Sequence, residues 1–128
     1  MRRNAVAIGL AIGTVIGLLA VAIGVASAQA SAAPASRLFV DAKEFSLILS
    51  RQTLKPGEAR IQLYNSGEDA HDLRLERMGG TRVLRVRETS PGDVTELRAL
   101  LRRGRWKLWC SLPGHANAGM RATLVVRP

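Results

Sequence analysis

Trp109-Cys110-Ser111-Leu112-Pro113-Gly114-His115-Ala116-Asn117-Ala118-Gly119-Met120 brings a thiol, an imidazole and a thioether into one short loop near the end of the chain. The residues before the loop alternate: Trp106, Leu108 and Cys110 share one face of an extended segment, Lys107 and Trp109 the other. The thiol therefore points where core side chains point. A ligand at the end of a core strand is held by packing, and the loop beyond it can carry His115 and Met120 round to the same point. The chain has one cysteine and two histidines, and the other histidine, His71, follows the turn-like Asn65-Ser66-Gly67-Glu68-Asp69-Ala70. Two imidazoles, one thiolate and a weak thioether form the ligand set that suits blue copper rather than zinc or iron. Zinc also accepts thiolate and imidazole but has little use for a thioether.

Working outward from this loop, the chain from Arg37 on is a series of short apolar segments separated by turns, the pattern of an antiparallel sandwich or barrel. Eight strands are expected: Arg37–Val40, Glu44–Ser50, Ala59–Asn65, Asp72–Glu76, Val83–Arg87, Val94–Leu101, Arg105–Cys110 and Arg121–Arg127. Lys55-Pro56-Gly57, Asn65-Ser66-Gly67, Gly79-Gly80, Ser90-Pro91-Gly92-Asp93 and Arg103-Gly104 supply the turns. Ile61/Leu63, Leu73/Leu75, Leu84/Val86 and Leu97/Ala99/Leu101 keep a period of two and should point inward. The fold class is all-β, a Greek-key sandwich or barrel of seven to eight strands preceded by an N-terminal hydrophobic helix.

That helix belongs to residues 1–28, where Arg2 and Arg3 precede an apolar run from Ala5 to Ala26 broken only by Thr14. Ala26-Ser27-Ala28 has the small-x-small pattern of a cleavage site. The run exceeds the roughly 7–15 residues of a signal core and reaches the roughly 20 that span a bilayer, so cleavage and membrane attachment through residues 5–28 both stay open. Gly9, Gly13 and Gly17 put small residues at four-residue spacing, a packing face that a Gly/Ala-rich signal also produces by accident. Either way the arginines stay inside and the rest is exported, to the periplasm, the medium or the outer face of the membrane. Residues 29–36 read as an Ala/Ser/Pro linker and 37–128 as one domain.

About 100 residues suffice for a single core. Of 19 basic and 10 acidic residues only two arginines lie at the extreme N-terminus, so the domain remains strongly basic. Such a balance suits an acidic partner or an anionic membrane surface, or simply keeps the protein soluble. Nucleic acid is not an expected partner, since no basic segment carries aromatics for stacking on bases. With one cysteine an internal disulfide is impossible, and in an oxidising compartment Cys110 must be buried, paired between chains or ligated. Ligation answers this best, and a monomer is expected.

The domain resembles the cupredoxins, the small blue copper family of plastocyanin, azurin, amicyanin and rusticyanin. Gly104-Arg105-Trp106-Lys107-Leu108-Trp109-Cys110 resembles the family's Gly-x-aromatic-x-x-aromatic-Cys strand, and Pro113-Gly114-His115 with Gly119-Met120 its ligand loop. The C-x4-H-x4-M spacing is similar to the rusticyanin-like branch. Asn65-x-Gly67 followed by His71-Asp72-Leu73 resembles the turn and strand of the first histidine. The resemblance implies His71, Cys110, His115 and Met120 as ligands of one type 1 copper ion. Asp72 stands where many members have Asn or Ser, and Leu108 where an aromatic is frequent. The residue after the first histidine ties the ligand loops together in the family, which implies Asp72 with Ser111 or Asn65 as outer support and a carboxylate charge near the metal.

The resemblance further implies a one-electron carrier between exported or membrane-bound redox partners, docking on the apolar surface of Leu112, Pro113, Ala116 and Ala118 around His115. An enzyme is not expected: four protein ligands leave no open position, and multicopper oxidases or nitrite reductases need more than two histidines. The alternatives are a copper chaperone or storage module delivering copper to an exported oxidase, and a metal-free binding module. The first lacks its usual extra exposed Met and His residues here, and the second is disfavoured by the complete ligand set.

Overall fold

The computed structural model describes residues 33–128. The signal or anchor expected for residues 1–28, its hydrophobic helix and the first part of the 29–36 linker lie outside the described residues. Nine strands form: β1 (Ser36–Lys43), β2 (Ser46–Leu49), β3 (Thr53–Leu54), β4 (Gly57–Asn65), β5 (His71–Arg77), β6 (Val83–Thr89), β7 (Val94–Leu101), β8 (Gly104–Trp109) and β9 (Arg121–Val126). They build two facing sheets, β2-β1-β4-β7 and β3-β9-β8-β5-β6. β8 returns past β6 and β7 to lie beside β5, the Greek-key connection.

Alternation decides which faces meet. Leu38, Val40, Ala42, Ile61 and Leu63 from the first sheet pack on Leu73, Leu75, Trp106, Leu108 and Leu124 from the second, all of them buried. Burying each leucine is worth about 1.5–3 kcal/mol relative to leaving it in water. Leu84, Leu97 and Ala99 point inward as expected but stay only half-covered, because β6 and β7 are edge strands with one neighbour each. Ala32–Pro128 forms a compact unit by itself, and the strand pairings and core just described lie within it.

Two details differ from the sequence expectation. The sheets are mixed, not purely antiparallel: β1 runs parallel to β4, with Ala42 opposite Asn65, and β3 parallel to β9. After β2 the chain crosses to the second sheet for the two residues of β3 and then returns beside β1, a step too short to leave a periodic trace in the sequence. The expected strand Glu44–Ser50 also starts later, since Glu44 and Phe45 form the turn between β1 and β2. The ends of β1, β4 and β8 and the start of β5 gather at one pole of the sandwich, and the starts of β1, β4 and β8 with the end of β5 at the other.

Candidate metal centre

β5 and β8 are antiparallel neighbours with Arg74 opposite Trp109, so His71 at the start of β5 and Cys110 just past β8 reach the same pole. Gly114, at φ +81, turns the chain into the one-turn helix α1 (His115–Ala118). The loop then closes on itself: the Cys110 amide donates to the Met120 carbonyl at 3.2 Å and the Met120 amide to the His115 carbonyl at 3.1 Å.

These constraints converge the donors. One ligand atom from each of His71, Cys110 and His115 lies within 4.8 Å of the others. The two Nδ1 atoms are 3.2 Å apart, and the Cys110 sulfur is 3.8 Å from His115 Nδ1. Met120 is fully buried in the same core cluster as Cys110. Two imidazole nitrogens facing each other beside a thiol are what one thiophilic cation satisfies, and the His-Cys-His-Met set fits a type 1 copper site. Burial pushes the Cys110 thiol above its ordinary value, while the backbone amides of Asp72 and Leu112 favour its anion. A bare thiolate is thus disfavoured, and a bound cation would offset the cost.

A side chain the sequence reading assigned only to a strand orients His71. The Glu44 carboxylate lies 2.7 Å from His71 Nε2 and accepts from the amides of Glu68 at 3.1 Å and Asp69 at 2.9 Å. The Asp69 amide foremost, with Glu44's own amide, that of Glu68 and His71, holds this carboxyl down at about 2 despite some desolvation. An ionised carboxylate only accepts, so the proton of His71 sits on Nε2 and the Nδ1 lone pair faces the site. Gly67 makes the approach possible, since a Cβ there would collide with the Glu44 carboxylate. The next residue, Phe45, sets its ring edge-on to His115 at 5.3 Å between centroids, and its carbonyl lies 2.6 Å from where a Cβ on Gly119 would be. The β1–β2 turn is therefore a wall of the site.

Asp72 joins Ser111 rather than Asn65. It accepts from the Ser111 amide at 2.6 Å and from the Ser111 hydroxyl, and it pairs with Arg74 at 2.9 Å. The negative charge that the sequence suggested near the metal is accordingly balanced by Arg74. Asn65 acts elsewhere, donating to the carbonyls of Asp69 and Thr89 and accepting from Gly67, which shapes the loop leading to His71. A register shift between His71 and Leu73 lets three successive residues be buried, so that His71 faces the site while Asp72 reaches Ser111.

Of the two imidazoles, His71 is fully buried and His115 is partly exposed. Around His115, Pro113 and Ala118 are exposed, whereas Leu112 is half-buried against the core. Ala116 lines a groove of about 550 Å³ with Trp109 and Arg121, to one side of the ring. Phe45, 46% exposed, adds apolar surface beside the imidazole to that of Leu112, Pro113, Ala116 and Ala118.

No protein-family model and no curated protein matches the chain. Solved structures do. Auracyanin B is similar at 21% identity and a TM-score of 0.61, covering 77% of this chain and 94% of its own. Dithionite-reduced auracyanin from the photosynthetic bacterium Roseiflexus castenholzii is similar at 13% identity and 0.59, covering 75% and 100%. Auracyanin A, a "blue" copper protein from Chloroflexus aurantiacus, is similar at 14% identity and 0.60, covering 73% and 100%. The chain has the cupredoxin fold of these proteins.

Proposed function

We propose that the domain binds one copper ion through His71, Cys110 and His115 with Met120 as the weak fourth donor, and that it carries single electrons between exported or membrane-bound redox proteins. The observation that carries this reading is the convergence of two histidine nitrogens and the single cysteine sulfur within 4.8 Å at one pole. The similarity to auracyanins, one of them a "blue" copper protein, supports it. When bound, copper supplies the Cu(II)/Cu(I) couple, and with it transfer of one electron.

The chain's own residues do the rest. β5 and β8 hold His71 and Cys110 on the rigid sheet, Glu44 fixes the His71 tautomer, and the Asp72–Ser111 bonds fasten the ligand loop to β5. Such outer bonds set ligand orientation and limit rearrangement between oxidation states. The partly exposed His115 edge, with Phe45, Pro113 and Ala118 around it, is the place for a partner to approach. The role is a carrier's and not an enzyme's, and the reading of residues 1–28 as an export signal or membrane anchor supports a location outside the cytoplasm.

The test is voltammetry of the copper-loaded protein with a Cu(I) chelator present. A carrier cycles reversibly by one electron and keeps its metal. Loss of copper to the chelator on each reduction would instead identify a copper-delivery protein.

A further inference from the structure

At the pole opposite the metal centre, the β5–β6 and β7–β8 turns enclose a cleft of about 400 Å³ lined by Arg77, Arg82 and Arg102 together with Leu84, Leu100 and Trp106. Among the described residues Arg60, Arg74 and Arg98 are engaged by carboxylates, whereas Arg77, Arg82 and Arg102 form no ion pair. The walls are fixed. Trp106 Nε1 donates to the Arg102 carbonyl at 3.0 Å, the Gly80 amide to the Arg77 carbonyl at 2.9 Å and the Met78 amide to the Arg105 carbonyl at 2.8 Å. The Arg77 stem lies against Gly104, where a Cβ would come within 3.3 Å of it.

We propose that this arginine cleft is a binding site for the phosphate headgroups of an anionic membrane. Guanidinium forks match phosphate oxygens bidentately, and three of them without carboxylate partners in one cleft leave a concentrated positive field. Leu100 and Met78, 64% and 47% exposed, stand beside them. Apolar tips flanked by arginines are the composition of a surface that seats at the headgroup–acyl boundary, which a free phosphate would not need. β1 starts at this same pole, with Ser36 opposite Ala59 near the start of β4, and the metal centre lies about 20 Å away along β8. The proposal does not rest on copper binding.

The test is sedimentation of residues 33–128 with vesicles of phosphatidylcholine alone and of phosphatidylcholine with phosphatidylglycerol. Wild type partitions onto the anionic vesicles only, and Arg77→Gln/Arg82→Gln/Arg102→Gln weakens partitioning about a hundredfold, roughly fivefold per arginine. Arg85→Gln/Arg87→Gln/Arg121→Gln removes the same charge away from the cleft and keeps most of the binding. Equal losses in the two triple variants would reduce the effect to net charge and overturn the proposal. So would equal binding to uncharged vesicles, or glycerol 1-phosphate binding as tightly as the anionic vesicles, which would make the cleft a soluble phosphate site.

Discussion

Replacing Glu44 with Gln should weaken copper binding while leaving the copper–thiolate colour in place. Glu44 takes hydrogen bonds from two backbone amides and faces His71 Nε2. Oε1 lies within reach of His71 Nε2 and of both amides, and Oε2 within reach of the Glu68 amide alone. A carboxamide that keeps its oxygen at the first position turns its NH2 toward the Glu68 amide, donor against donor, and offers His71 a neutral acceptor in place of a charged one. The hold on the imidazole is weaker, and the ring is freer to rotate or to carry its proton on Nδ1, the atom 3.2 Å from its His115 counterpart. Loss of such an outer partner typically costs 10–100-fold in metal affinity, and that is the expected drop in Cu(II) affinity by competition with a chromophoric chelator. The reduction potential should rise, because a nearby negative charge that favours Cu(II) has gone. Gly67→Ala should reproduce both effects with Glu44 intact, since the new methyl occupies the carboxylate's place. Affinity within about twofold of wild type in Glu44→Gln would refute the orienting role.

Three further outcomes follow from the same contacts. Asp72→Ala should destabilise the domain by about 1–3 kcal/mol in urea unfolding, because the Ser111 amide loses its acceptor. Gly119→Ala should lower Tm by about 10 °C in calorimetry, since φ is +133 and the added methyl meets the Phe45 carbonyl. The Glu44 carboxyl is held at about 2, below its ordinary 4.5. A depressed acid contributes stability that is fully present above the unfolded value and is lost as pH falls through the folded one. The metal-free domain should therefore lose stability between pH 4.5 and about 2 by urea midpoints, and Glu44→Gln should flatten the curve in that window.

The donors that sequence could place are those fixed by short-range rules. Cys110 follows from strand alternation through Trp106 and Leu108, and His115 and Met120 follow from the length of one loop. The strands of the core were legible for the same reason, because Ile61/Leu63 or Leu73/Leu75 repeat with the period of the pleat. What escaped is long-range. Glu44 sits 27 residues before His71, in a stretch that reads as the start of a strand, and only the parallel pairing of β1 with β4 brings its turn over the loop carrying the histidine. Asp72 was recognised as a support, but its partner depended on a bulge that alternation cannot express, and its neutralising Arg74 depended on the side chain two residues on reaching back. Likewise Leu112 is apolar and next to the site, and its half-burial becomes visible only once the core is assembled beneath it.

The central claim, that His71, Cys110 and His115 close on one copper ion, is tested most directly by adding Cu(II) to the metal-free protein and recording visible and electron spin resonance spectra. The expected result is intense thiolate-to-copper absorption at one ion per chain, abolished in Cys110→Ser and weakened in His71→Ala. A colourless complex, or colour unaffected by Cys110→Ser, would contradict it.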